Sequence, residues 1–294
     1  MADAFPSARR VFEEIDAALG ERLSDIIWNG PSDTLTLTEN AQPALMAVSR
    51  AAMRVLEDEA GVDLKRDAAF VAGHSLGEYS ALAAARSLSI ADAALLLRIR
   101  GRAMQKAVAV GAGAMAALIG LELGEVKAIA AEVASVGVCA AANDNGGGQV
   151  VVSGAKAAVE QAVELAKLRG AKRAMLLPVS APFHCPLMQP AADVMAEALS
   201  QIAVKPPIVP LVANVLARPI TEPAEIVRCL VEQVTGTVRW RESILFMVQS
   251  GVKSFYEIGA GKVLTGLIKR IADTETASAI GTPEDLTRFN AARG

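Results

Sequence analysis

The stretch VAGHSLGEYS, residues 71–80, decides how the rest of the chain is read. It holds the pattern G-x-S-x-G, with Ser75 between Gly73 and Gly77. That pattern suits the sharp strand-to-helix turn that exposes a nucleophilic serine. Five residues can arise by chance, so the pattern needs a context. AAFVAG (68–73) reads as a short apolar strand and EYSALAAARS (78–87) as a helix, which is the context required. At such a turn the hydroxyl sits at a helix N-terminus. The Leu76 N–H and the positive helix end are then available to an oxyanion. A serine hydroxyl still needs a base.

The chain has 294 residues, enough for a large domain with a smaller one attached. It is 52% apolar but only 4% aromatic, the balance of a helix-rich enzyme rather than a disordered chain. No apolar run reaches the length of a transmembrane helix, and the N-terminus lacks a secretion signal. Cys139, Cys185 and Cys229 are widely spaced and odd in number, which fits neither a disulfide framework nor a zinc site. A net charge of −3 gives no reason to expect nucleic acid. The expectation is a cytoplasmic monomer without metal, membrane or nucleic-acid partner.

Residues 1–20, 40–62 and 91–108 have helical spacing. From about Met115 to Val179 the rhythm changes to strand, helix, strand, strand, helix, strand, the ferredoxin-like order. The remaining chain alternates helices (187–202, 223–235, 239–250) with strand-like stretches (208–215, 253–259) and ends in the helix KVLTGLIKRIA. The fold class expected is α/β. A large unit, 1–112 and 180–294, carries a mainly parallel sheet and the serine turn. A small α+β unit, 113–179, is inserted into it.

His74 and His184 are the two histidines. Side chains diverge at a tight turn, so His74 is read as lining the mouth, and His184, in the prolyl loop PVSAPFHCPLM, as the candidate base. No acid is placed to complete a triad; a carbonyl or amide can hold Nδ1 instead, and Gln233 is a candidate. Arg100 has Leu96, Leu97, Ala103 and Met104 as its helical neighbours and so projects inward. Arg98 and Arg102 are expected to face solvent. A buried guanidinium calls for an anion: either an internal acid, or a carboxylate ligand gripped by its fork. NDNGGGQ (143–149) reads as a polar hairpin carrying Asn143 and Asn145.

GHSLGEYSALAAA, RIRGRAMQ, NDNGGGQVVVSG, PVSAPFHCPLM and YEIGAGKVLTGL occur in the order found in malonyl-CoA:acyl-carrier-protein transacylases, which the chain resembles from about residue 5 to 281. The resemblance implies an α/β-hydrolase-like core and transfer of malonyl from malonyl-CoA to acyl carrier protein. It matches Ser75 to the acylated nucleophile, His184 to the base, Arg100 to the malonyl-binding arginine and Leu76 to an oxyanion donor. Gln233 matches the residue that orients the histidine. His74, Asn143, Asn145 and Gln42 match polar residues in or near the cleft, and Phe183 a bulky residue of malonyl-selective relatives. No cofactor is implied beyond the coenzyme A thioester substrate.

Relatives begin with an apolar strand and a G-Q-G-S-Q loop supplying a second oxyanion N–H. This sequence starts downstream of both, so the expectation is a chain lacking them, either because Met1 is an internal methionine or through truncation. Ala260 stands where relatives usually have proline, and TGTVRW (235–240) where they often have Y-N-P. Two other readings use the same residues: an esterase with the same serine turn, and an inactive chain that only binds coenzyme A or carrier protein.

Overall fold

The computed structural model describes residues 1–273 and 276–293. The architecture is α/β, organised by three buried apolar clusters and a small fourth between units. The largest joins helices Pro6–Leu19, Thr38–Ala60, Gly77–Ala84, Ile90–Ala107, Gln189–Ser200 and Pro223–Thr235. Two of these set the site. Helix Thr38–Ala60 buries Ala44, Ala47, Ala51 and Val55 along one stripe and stops at Gly61, whose φ of 61° is the left-handed C-terminal turn. Helix Ile90–Ala107 starts at Ser89, whose side chain accepts the Asp92 N–H. Gly101 lets the two helices cross closely, since a Cβ there would stand 2.5 Å from the Glu39 Cα. That crossing brings Gln42 to Arg100.

Between helices Ile90–Ala107 and Gln189–Ser200 the chain forms a unit of β1 (Gly113–Ile119), helix Leu123–Glu132, β2 (Cys139–Asp144), β3 (Gln149–Ala155), helix Lys156–Leu168 and β4 (Arg173–Leu176). Its sheet has the order β2-β3-β1-β4, antiparallel throughout. Both helices cover one face, burying Leu118, Val126, Ile129, Val150, Val152, Val159 and Val163 together. The outer edge of β2 is tied to the rest of the chain. Asp144 N–H donates to Val238 O (2.9 Å), Val238 N–H to Ala142 O (2.8 Å), and Arg241 pairs with Asp144 (2.8 Å). Met115, Ala142 and Val151 fill the seam against Phe183 and Leu177.

The remainder differs from expectation in three respects. First, parallel pairing among the described residues is confined to β7 (Ser254–Ile258) with β8 (Thr276–Ile280) and two isolated bridges, Val71 to Leu211 and Asn143 to Val238. A further pair, β5 (Leu211–Val212) with β6 (Pro219–Ile220), is antiparallel. The 68–73 segment is extended, yet only Val71 pairs. Its N–H and C=O both face the 210–212 segment, while Phe70, Ala72 and β7 border a cavity of ≈ 980 Å³. Without a neighbour there, no continuous ladder forms. Second, Val263–Ile271 is not the last helix: β8 and helix Pro283–Arg293 follow it. Third, Arg98 is buried rather than solvent-facing. It pairs with Glu21 (2.5 Å) and donates to Glu39 O and to Asn40, whereas Arg102 is exposed as expected.

Candidate active site

The serine turn is enforced by its backbone. A Cβ on Gly73 would lie 2.0 Å from the Gly77 carbonyl group, so only glycine lets the chain double back at this point. Ser75 adopts φ 53°, a strained value for a residue with a side chain, and is held there from both sides. Its N–H donates to Asn214 Oδ1 at 2.8 Å and its C=O accepts from Gln233 Nε2 at 3.0 Å. Asn214 Nδ2 donates in turn to Gly73 O at 2.7 Å. Gly77 has open space where a Cβ would be and no positive φ, so neither clearance nor conformation requires glycine there. Helix Gly77–Ala84 begins directly, and the Leu76 N–H at its start has no acceptor among the described residues.

His184 also sits at positive φ, 58°, and reaches Ser75 from 109 residues away. Its Nδ1–H donates to the Gln233 backbone carbonyl at 2.8 Å, leaving the Nε2 lone pair to accept the Ser75 hydroxyl, also at 2.8 Å. A carbonyl thus stands where a triad places an acid. Burial, and then the charge of Arg100, push His184 down to about 3, so it is a neutral base throughout the physiological range.

Arg100 is fully buried, and burial lowers its affinity for its proton. Nη1 donates to Gln42 Oε1 (2.6 Å), and Nη2 to Gln233 Oε1 (2.8 Å) and Ser75 Oγ (3.1 Å). The Tyr79 ring lies 5.9 Å from its central carbon. No carboxylate pairs with it directly among the described residues, and Nε has no acceptor. Of the two openings for this arginine, the structural ion pair is absent. What remains is a guanidinium held by neutral amides beside the serine hydroxyl, with donors in reserve for an anionic ligand.

The other expected residues divide. His74 is half-buried, stacks edge-on to Trp240 at 5.6 Å and meets Asn145 Oδ1 through Nε2 at 2.9 Å. This bond ties the β2–β3 hairpin to the serine turn, and burial lowers the His74 pKa. Asn143 is buried but joins Val238 through a backbone bridge, with no side-chain bond to Ser75, His184 or Arg100 among the described residues. Gln42, at the start of its helix, is fixed by Thr38 Oγ1 (2.9 Å) while it accepts from Arg100. Phe183 lies beside His184, packed between the two units.

Two site residues escaped the sequence reading, Asn214 and Glu78. Asn214 closes the apolar run 208–213, and a polar residue ending such a run was the available signal. Glu78 is fully buried; Oε1 accepts the Asn214 N–H at 2.5 Å and Oε2 accepts from Gln233 Nε2. Burial raises it to about 8, against these two bonds and the Arg100 charge, which pull it down. Both oxygens facing N–H donors is the pattern of the ionised form.

A strained serine at a helix start, a buried neutral histidine on its hydroxyl and a free N–H beside it define a protein of acyl-transfer type. The family model for the acyl transferase domain matches residues 2–290, and the chain belongs to that family. It is 46% identical over 286 residues to the malonyl CoA-acyl carrier protein transacylase of Escherichia coli K12, covering 97% of this chain and 91% of that one. The crystal structure of an acyl-carrier-protein-S-malonyltransferase from Bartonella henselae superposes with a TM-score of 0.96. It is 57% identical, with 99% of this chain and 92% of that one covered. A type II PKS acyl-carrier protein in complex with its malonyl-transacylase matches at TM-score 0.95 and 40% identity, with 99% and 93% covered.

Proposed function

We propose that the chain transfers malonyl from malonyl-CoA to the phosphopantetheine thiol of acyl carrier protein through a malonyl ester on Ser75, in fatty-acid biosynthesis. The observation that carries this is Arg100, a buried cation without a direct carboxylate partner, 3.1 Å from the nucleophile. The substrate carboxylate docks on it. Ser75 Oγ attacks the thioester carbon as its proton passes to His184 Nε2, and the Leu76 N–H receives the developing oxyanion. Collapse breaks the carbon–sulfur bond, and the coenzyme A thiolate leaves with the proton from His184. In the second half the carrier thiol gives its proton to His184 and attacks the ester, and Ser75 recovers the proton. Metal and redox cofactor have no step in this scheme.

The same reading takes β1 to β4 and their helices as a ferredoxin-like unit (113–179) set into an α/β-hydrolase-like core (1–112 and 180–294). The antiparallel order β2-β3-β1-β4 and the separate apolar clusters support it. His74, Asn145, Asn143, Gln42 and Phe183 line or brace the cleft between the units. The chain is read as a monomer that works in the cytoplasm. No helix among the described residues is long and apolar enough to cross a membrane.

The direct test mixes the chain with malonyl-CoA and holo acyl carrier protein and follows malonyl-carrier formation by mass spectrometry. Faster turnover of a p-nitrophenyl ester than of malonyl-CoA would favour the esterase reading.

Because His184 stays neutral down to about pH 3, acylation at pH 5.5 is expected to match that at pH 7. A protonation limb centred near 6.5, the ordinary histidine value, would contradict this arrangement. The same shift acts on stability. Between about pH 3 and 6.5 the unfolded chain binds the extra proton, so the His184 contribution falls as pH drops through that window.

Phe183→Ser removes an aromatic ring beside the base and is expected to raise use of methylmalonyl-CoA relative to malonyl-CoA. The gain is limited to about tenfold to a hundredfold by what one pocket group contributes. An unchanged ratio would show that the ring does not crowd the 2-position.

A further inference from the structure

Glu78 has no place in the scheme above, yet it lies buried at the junction of everything that holds the site. Its carboxylate takes N–H donors from two residues that each hold the serine turn: the Asn214 backbone and the Gln233 carboxamide. Asn214 Oδ1 fixes the Ser75 N–H; Gln233 Nε2 fixes the Ser75 C=O. The Gln233 amide has two ends. With Nε2 turned to Glu78 and Ser75 O, Oε1 faces Arg100 at 2.8 Å. An amide cannot reverse without placing its NH₂ against the guanidinium.

We infer that Glu78 is a positioning residue for substrate choice. As an acceptor-only group behind Gln233, it fixes which end of that amide faces Arg100 and so aims the guanidinium at the substrate carboxylate. This rests on the reading of Arg100 as the carboxylate clamp. No hydrogen bond or ion pair joins Glu78 to Arg100 among the described residues; the Gln233 amide bridges the buried carboxyl group and the buried cation through its Glu78 and Arg100 bonds. The amide takes only one Nη2 donor, and Nε–H and one Nη1 hydrogen stay free for a ligand, whereas a direct bidentate Glu–Arg pair would occupy two donors and neutralise the charge.

The substitution Glu78→Gln keeps the volume but turns one oxygen into a donor. Asn214 still supplies an N–H to one end, so the new NH₂ meets Gln233 and favours its reversed orientation. The expected result is a malonyl-CoA to acetyl-CoA acylation ratio lowered on the order of tenfold to a hundredfold, the scale of a lost hydrogen bond to a buried charge. Single-turnover acylation of Ser75 by each thioester reads this directly, at a pH above 8 where the wild-type carboxylate is ionised. A loss of packing alone would slow both thioesters equally. Glu78→Asp keeps an acceptor-only group and is expected to retain the ratio even where it slows the rate. The Asp variant carries the test should the Gln variant fail to fold. An unchanged ratio in folded Glu78→Gln, or a lost ratio in folded Glu78→Asp, overturns the inference. Equal wild-type rates on both thioesters would instead remove the clamp reading, and the inference with it.

Discussion

Ser75→Ala is expected to abolish the covalent malonyl adduct and to lower transfer to carrier protein on the order of 10⁴- to 10⁶-fold, the loss seen when a serine nucleophile is removed. The reason is geometric. Among the described residues, Ser75 Oγ is the one hydroxyl bonded to the neutral His184 Nε2, and it lies at the N-terminus of helix Gly77–Ala84 beside the unoccupied Leu76 N–H. Removing Oγ leaves base, oxyanion donor and carboxylate clamp in place, so malonyl-CoA still binds but has nothing to acylate. Intact mass after brief mixing with malonyl-CoA, wild type beside Ser75→Ala, decides the matter. A persisting adduct in the variant would place the nucleophile elsewhere. The serine turn is held through the Ser75 backbone groups, which alanine keeps, so the variant is expected to melt near wild type.

What the sequence made legible follows the range of the interactions. Arg100 was placed correctly because its burial is written in its own helix, in the apolar neighbours one turn either side. Arg98, two residues away, was misplaced because its covering partners, Glu21 in the loop after helix Pro6–Leu19 and Asn40 in helix Thr38–Ala60, are contacts that no local period reveals. The β1–β4 unit was legible because strands and helices there alternate at short range with glycine turns between. The strand expected at 68–73 shrinks to one bridge, since an apolar extended segment becomes a ladder only where a partner runs alongside several of its residues. Glu78 stands inside the very motif that opened the reading. Its meaning still depends on Asn214 and Gln233, 136 and 155 residues away.

Arg100→Ala carries the second large effect. A buried, hydrogen-bonded charge pair that loses one partner costs about 3–5 kcal/mol, which at 1.36 kcal/mol per decade is roughly 10²- to 10⁴-fold in kcat/KM for malonyl-CoA. Acetyl-CoA has no carboxylate and forfeits little, so the two thioesters are expected to converge; a folded variant that kept its malonyl preference would sink the clamp. Arg100→Lys is expected to recover only part, because an ammonium is a point charge without the planar fork. The variant also reports on the base. The Arg100 charge is one of the causes that hold His184 down, so removing it raises the His184 pKa. The low-pH limb of the residual acetyl transfer therefore moves upward. On the proposed mechanism a malonyl carboxylate bound at Arg100 would act in the same direction, screening the guanidinium from an imidazolium forming nearby. The malonyl substrate would then make His184 a better proton acceptor as Ser75 loses its proton, and a substrate lacking the carboxylate would not.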